Sequence, residues 1–431
     1  MQKRLMVKPL VLLALCAVML GWPLTAAAPT ARPEEVGLSA ERLKRITELM
    51  QRHVDAKAMS GAVTLVARNG RIAHLEAHGV MDLESRKPMQ KDAIFRIMSM
   101  TKPMVGVAVL MMMEEGKVRL NDPISRFIPE FKDLKVGVPQ GGPAPTGSAG
   151  GPPAGPRFYT VPAEREVTVR DVLTHTSGIV SGTISNSEER KVSATPTDSL
   201  ATYLPRLGQV PLEFQPGSRW AYSAGAGFDV LSRVVEVASG MPIDRFMKER
   251  VFDPLGMKDT TYIPPKSNPR LTKLYSRTSG ELRPQNDPGF MNGVYMSGGG
   301  GLFSTAEDYA QFALMLANAG QMNGRRFLSP RAVELMGSVF APDTLPGRTR
   351  GESFGLSVRV VNDPVARNSF LSEGSFGWSG LFGTHFWVDP KEKVVGILMA
   401  QTSVPGIRED FENAVAQAIV GPSPASVAGT N

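Results

Sequence analysis

Apolar and polar residues follow two different rhythms along the 431-residue chain, and the rhythm changes with position. From Ser39 to Asp55 the apolar residues Leu43, Ile46, Leu49, Met50 and Val54 recur three or four apart, the period of an amphipathic helix, and Ser39 is placed to cap its first turn. Residues 62–67 and 71–77 read as two strands, and Asn69-Gly70 between them is the dipeptide that most favours a two-residue hairpin. Residues 98–115, MSMTKPMVGVAVLMMMEE, are apolar on nearly every helical face, which predicts a helix buried mid-protein and ended by Gly116. Its Met111-Met112-Met113 run reads as core filling. Helical patterns dominate residues 169–257, and 306–319 is another helix. Residues 355–361, 384–388 and 394–401 read as strands, and a helix over 409–419 follows them. Strands towards both ends and helices between them predict a sheet assembled from N- and C-terminal segments.

Two stretches fall outside this pattern. Residues 136–156, VGVPQGGPAPTGSAGGPPAGP, are too rich in Gly and Pro to fill a core and read as a surface insertion. Residues 1–28 read as a secretory leader: basic Lys3, Arg4 and Lys8, an apolar run from Leu10 to Leu20, then the small residues Thr25-Ala26-Ala27-Ala28. The apolar run is shorter than the roughly 20 residues a membrane span needs. Export to the periplasm or the medium is therefore expected, without stable membrane insertion. The single cysteine, Cys16, lies inside this leader, so disulfides and thiol chemistry drop out of the mature chain. The formal net charge of +7 falls to about +4 once the three leader cations are removed, too weak and dispersed for a nucleic-acid surface.

Ser99-Met100-Thr101-Lys102 is an S-x-x-K tetrad at the start of the apolar helix. Three-residue spacing puts hydroxyl and amine on one helical face. A serine hydroxyl is a poor nucleophile without an adjacent base, and burial can make a lysine serve by disfavouring its charged form. Alone, the tetrad is a weak signal, since a surface lysine on a first helical turn gives the same pattern.

Further segments raise its weight. FRIMSMTKP around Ser99, LNDPISRFIPEF, LTHTSG at 173–178, PGSRWAYSAGAGFDVL, PLGMKDTTY, GGGGLFSTAEDYAQF and GWSGLFGTHFWVDP occur in order. With them the chain resembles the serine β-lactamase and penicillin-binding family, in particular class C β-lactamases, DD-carboxypeptidases and family VIII carboxylesterases. The resemblance implies an α+β fold of the β-lactamase/transpeptidase-like kind, an antiparallel sheet flanked by helices beside a mostly helical subdomain, with the site in the cleft between them. The hydrolase domain would run over 33–420, its α/β part at about 33–98 plus 290–420 and its helical part at about 99–289, with 421–431 a tail. By the same resemblance Ser99 is the nucleophile and Lys102 and Tyr222 are proton-transfer groups. Backbone N–H groups of Ser99 and Leu381 form the oxyanion hole, and Trp378, Ser379 and Gly380 contact substrate. No cofactor and no metal is implied, and the substrate is a small ester.

Two departures bear on that substrate. Trp378 stands where β-lactamases carry the lysine of K-T-G, and Ala224 where they carry an asparagine, so two groups for an anionic acyl amide are missing. An ester is the expected substrate. Arg359 and His385 are candidates for a replacement cation. A class C-type β-lactamase, a DD-carboxypeptidase and a catalytically silent binding relative stay open as alternatives, as does the oligomeric state. Gly351-Glu352-Ser353-Phe354-Gly355 matches the nucleophile elbow G-x-S-x-G, but that elbow needs a following helix and the sequence after it alternates like a strand. The five histidines, His53, His74, His78, His175 and His385, include no H-E-x-x-H or H-x-H pair. His175 in LTHTSG reads as structural, His385 as a sheet-edge or ligand residue, and Gly298 to Gly301 as a close-packed turn.

Overall fold

Ser39 accepts a hydrogen bond from the Arg42 N–H and opens helix α1 (Ala40–Asp55), as the spacing predicts. The chain then forms β1 (Gly61–Arg68) and β2 (Arg71–Asp82), joined at Asn69-Gly70 with left-handed φ of 55° and 76°, the conformation a two-residue hairpin requires. In this computed structural model residues 28–141 and 155–422 are described. The expected leader, apart from Ala28, the centre of the Gly/Pro insertion and most of the tail lie outside the described residues.

The short β3 (Lys87–Pro88) completes the N-terminal hairpins, and helix α2 (Thr101–Glu114) follows a short 3-10 turn at Met98–Met100. Every residue of α2 from Thr101 to Met112 is buried, which explains why its sequence has no polar face. Helix α3 (Ala226–Ser239) packs against it. Helix α4 (Ala306–Ala317) then leads to β4 (Glu352–Phe354), β5 (Arg359–Val361), β6 (Phe376–Ser379), β7 (His385–Asp389), β8 (Val394–Ala400) and the closing α5 (Ile407–Ala416).

These strands make one eight-stranded antiparallel sheet in the order β4-β5-β6-β7-β8-β1-β2-β3. β8 pairs with β1, so the seam between C- and N-terminal segments runs through the middle, with Leu65 opposite Ile397. One face carries α4, α2 and the main core; the other carries α1 and α5 around Leu43, Ile46, Met50, Trp387 and Phe411. The sheet is thus a layer between two sets of helices. No helix among the described residues is long and apolar enough to cross a membrane.

Three expectations need correction. Residues 355–361 are not one strand: β4 ends at Phe354, the chain turns through Ser357 with φ 69°, and β5 begins at Arg359. Alternating Leu356, Val358 and Val360 imitate a strand because all three are buried on both sides of a turn. The insertion begins later than its composition suggests, since Lys135–Pro139 pairs with Phe158–Pro162 and Val136 is in the core. Apart from the 14-residue α3, the region 169–257 is broken into short helical pieces, and the helical part as a whole also holds the hairpin Leu274–Thr278 with Glu281–Gln285.

Candidate active site

Met98 carries a left-handed φ of 48°, uncommon for a long side chain, directly before the serine of the tetrad. Such backbone costs on the order of 1–3 kcal/mol and persists only where its surroundings enforce it. It delivers Ser99 into the first turn, where the helix itself offers no acceptor for an N–H group. One turn on, Lys102 is completely buried, and its Nζ lies 3.1 Å from Ser99 Oγ. The same nitrogen donates to Ala224 O and Gly299 O, each at 2.6 Å. Tyr222, 123 residues further along the chain than Ser99, donates its phenol to Ser99 Oγ at 2.6 Å.

Two carbonyls can only accept, and they take two hydrogens of Nζ. A neutral amine so held turns its lone pair to Ser99; an ammonium turns its third hydrogen there. Either state uses the same three oxygen partners, so this arrangement requires no change of partner when a proton arrives or leaves. Burial by itself would raise the Tyr222 phenol, but the Lys102 charge and hydrogen bonds to the phenol oxygen outweigh it, and the group sits below its usual 10. Both neighbours of Ser99 are therefore equipped for proton transfer.

The glycine run is explained by this lysine. The Gly299 carbonyl must reach Nζ while its N–H donates to Asp229 Oδ1 at 2.9 Å. A Cβ on Gly299 would stand 2.7 Å from Gly225 Cα, and one on Gly298 2.1 Å from Ser232 Oγ, so no larger residue fits. Asp229, on the first turn of α3, also accepts from Tyr295 OH and Ser297 Oγ, both at 2.8 Å. Burial pushes its carboxyl up, and these three donors only partly offset that. Sequence reasoning missed Asp229, because a lone Asp near a helix start normally faces solvent.

β6 supplies the other wall. Trp378, Ser379, Gly380 and Leu381 line, with Ser99 and Tyr222, one cavity of about 670 Å³, within the usual range for small-molecule sites. Gly380 N–H bonds Thr384 O at 2.8 Å, and no acceptor takes the Leu381 N–H among the described residues. Trp378 packs edge-on to Phe354, with ring centres 5.2 Å apart, and against Tyr222 at 5.5 Å.

His175 is not a ligand group. Its Nδ1 accepts from the Ser223 N–H at 3.3 Å and its ring lies among Trp220, Tyr222, Phe228 and Phe354. Burial, then the charges of Lys102 and Arg348, hold it well below 6.5 and neutral. His385 is fully buried between Ser379 Oγ at 2.8 Å and Glu412 at 3.0 Å, so it positions β6 and offers no cation to the cavity. Arg359 lines the cavity but is tied to Glu412 at 2.8 Å and faces Glu352 at 3.6 Å. The cation that sequence reasoning overlooked is Arg408 at the start of α5. It lines the cavity, donates to Gly380 O at 3.0 Å, and makes no direct ion pair among the described residues, the charges of Glu409 and Glu412 acting on it from further off. The nucleophile-elbow match is a decoy: Ser353 is buried in β4, bonded to Asn362 at 2.9 Å and to the Asp343 N–H at 3.1 Å.

A family model described as Beta-lactamase matches residues 46–420. The chain belongs to the β-lactamase family. It is 34% identical over 382 residues to Protein Rv1367c of Mycobacterium tuberculosis, covering 84% of this chain and 90% of that protein. It is 29% identical to Esterase EstB of Burkholderia gladioli, covering 92% and 99%. Among solved structures, EstCE1, a hydrolase with promiscuous acyltransferase activity, superposes with a TM-score of 0.71 over 88% of this chain and 99% of that one, at 24% identity, a likeness of fold. The β-lactamase/transpeptidase-like α+β architecture follows, as the resemblance implied.

One sequence reading is revised by the geometry. No metal spacing was found along the chain, yet His74, Glu76 and His78 on β2 bring one ligand atom each within 4.8 Å of one another. His74 and His78 stand four apart with Glu76 between them, a spacing that matches neither H-E-x-x-H nor H-x-H but puts all three on one face of a strand.

Proposed function

We propose that this β-lactamase-family serine hydrolase cleaves small carboxylic esters through an acyl-enzyme on Ser99. The observation that carries the reading is the convergence of Tyr222 OH and Lys102 Nζ on Ser99 Oγ, at 2.6 and 3.1 Å, beside a cavity walled by Trp378. Ser99 Oγ attacks the ester carbonyl as its proton passes to the Lys102–Tyr222 pair. The N–H groups of Ser99 and Leu381 receive the developing oxyanion. The C–O bond to the alcohol breaks, the alcohol leaves with the proton, and water repeats the sequence on the acyl-serine. Apolar Val180, Phe290 and Trp378 in the cavity wall suit an uncharged acyl or alcohol group, and similarity to Esterase EstB supports the same class.

Arg408 favours a second reading. A guanidinium whose hydrogen bond goes to the Gly380 carbonyl and that is in no direct ion pair among the described residues is placed to take a substrate carboxylate, which β-lactams and DD-peptides carry and simple esters lack. A hydrolysis panel on the purified protein decides between them: aryl esters of increasing chain length, a chromogenic cephalosporin and D-Ala-D-Ala peptides. Rapid ester turnover with a stoichiometric burst is expected. Turnover of the cephalosporin or the peptides at equal or greater kcat/KM overturns the esterase reading, and absence of any burst and of Ser99 labelling overturns the enzyme reading.

A further inference from the structure

β2 passes under α1 with His74, Glu76 and His78 on alternate positions, hence on one face of the sheet. Their cross-strand partners on β1 are Val66, Thr64 and Ala62. Val66 and Ala62 belong to the apolar layer beneath α1, so two imidazoles are buried where the pattern calls for aliphatic side chains. Thr64 Oγ1 lies 2.8 Å from His74 Nε2 and 2.9 Å from His78 Nε2. A hydroxyl oxygen has two lone pairs and can accept an Nε2–H from both rings at once, the tautomer in which each Nδ1 keeps a lone pair for a metal. That bridge fixes both rings and leaves the second nitrogen of each outside it. His74 Nδ1 faces Glu76 Oε1 across 4.0 Å. This gap is too long for a hydrogen bond. A four-coordinate zinc with bonds of roughly 2.0–2.2 Å to both atoms would hold them about 3.4 Å apart, so the partly exposed Glu76 carboxylate has to swing only slightly inward to close on it. The Glu76 side chain is 44% exposed and keeps the cluster open to solvent.

We propose that His74, Glu76 and His78 form a binding site for a zinc-type divalent cation on the α1-covered face of the sheet, separate from the Ser99 cavity. Two imidazoles and one carboxylate are a borderline-soft ligand set suited to zinc, with water completing a four-coordinate shell. Thr64 acts as the outer partner that holds ring orientation, and Thr47 on α1 does the same for Glu76 through a hydrogen bond to its other oxygen. Neither ester hydrolysis nor the Ser99 geometry depends on this site.

Calorimetric titration of Zn²⁺ into the tag-free, chelator-treated chain tests it, with ester hydrolysis measured in parallel. One saturable site per chain is expected, weakened at least about 100-fold in His74→Ala and in His78→Ala, and about 10-fold or more in Glu76→Gln. Glu76 is on the open side, so Glu76→Gln gives a folded variant even where a histidine variant does not fold, and unchanged ester turnover checks that. Mg²⁺ should not compete. No saturable binding, or binding that survives Glu76→Gln and both histidine variants unchanged, overturns the proposal and leaves the pair as a threonine-bridged structural element.

Discussion

Asp229 and Lys102 are joined through a single residue: Gly299 donates its N–H to the carboxylate at 2.9 Å and presents its carbonyl to Lys102 Nζ at 2.6 Å. The carboxylate therefore sets where the Lys102 acceptor stands, and through it the line from Nζ to Ser99 Oγ. Asp229→Asn would set its amide N–H₂ against Tyr295 OH, or against both Ser297 Oγ and the Gly299 N–H, which share Oδ1, and leave a donor unmatched. The expected loss of stability is about 1–3 kcal/mol. The expected kinetic signature is a kcat lowered about 10- to 100-fold with KM nearly unchanged, since the group acts on the proton path and not on substrate. An effect confined to melting temperature would assign Asp229 to folding alone.

The two serine motifs give opposite expectations. Ser99→Ala should abolish ester turnover and covalent labelling. Ser353→Ala removes hydrogen bonds to Asn362 and Asp343 in β4, remote in role from the cavity, and should lower stability by about 1 kcal/mol while activity stays within about two-fold. Mass spectrometry of a phosphonate-labelled digest reads the outcome directly; label on Ser353 would reverse the assignment.

Lys102 and Tyr222 meet at one oxygen, so removing either breaks the same proton path. Lys102→Ala and Tyr222→Phe should each lower kcat by about 10³ or more, and the double variant should be little worse than the poorer single one. Multiplicative losses would show that one of the two only positions substrate. Melting temperatures of all three variants must be measured alongside, because Lys102 also ties Ala224 and Gly299 together.

Burial keeps His175 neutral, with a proton affinity well below 6.5 in the folded state. An unfolded chain binds that proton as pH falls through about 6.5, whereas the folded chain does not. The histidine's contribution is thus fully present above 6.5 and is lost as pH drops below it. His175→Phe, which keeps a ring among Trp220, Tyr222 and Phe354, should flatten the fall in stability between pH 6.5 and 5. The change should amount to one proton, about 1.4 kcal/mol per pH unit. Denaturant melts at several pH values measure the slope, and an unchanged slope would mean that His175 is already charged when folded.

How far the sequence reached depended on how local each signal was. Ser99 and Lys102 lie three apart on a helix with no polar face, so both their proximity and their burial were legible. Tyr222, Trp378 and Leu381 come from distant segments, and only the ordered family motifs placed them together. Asp229 was invisible because its three donors arrive from residues 295–299, far along the chain. Arg408 was missed for a related reason: a charged residue in the first turn of a C-terminal helix looks solvated until β6 is brought beside it. His74 and His78 escaped because the two imidazoles are four apart and their third ligand between them is a glutamate, and the turn at Ser357 escaped because buried residues on a tight turn alternate as they do on a strand.

Substrate choice turns on which cations face the cavity. Trp378 replaces the lysine that β-lactamases use for a carboxylate, Arg359 is held by Glu412, and Arg408 is left. A missing charge-assisted hydrogen bond costs about 1.5–3 kcal/mol, roughly 10- to 150-fold in binding. Uncharged esters need only the oxyanion N–H groups and the apolar wall, so they do not feel that loss. Short-chain aryl esters should therefore exceed penicillins in kcat/KM by at least about 100-fold. Trp378→Lys should narrow the gap from the penicillin side, mainly by lowering KM, because it restores ground-state binding. Arg408→Gln should widen it, measured as the ratio of an aryl ester bearing a terminal carboxylate to its neutral isostere. That ratio cancels any disturbance of Gly380, which both substrates share. If Arg408→Gln leaves the ratio unchanged, the guanidinium serves only to hold the Gly380 carbonyl, and if the wild type turns over penicillins as fast as aryl butyrates, the anionic-substrate reading replaces the ester one.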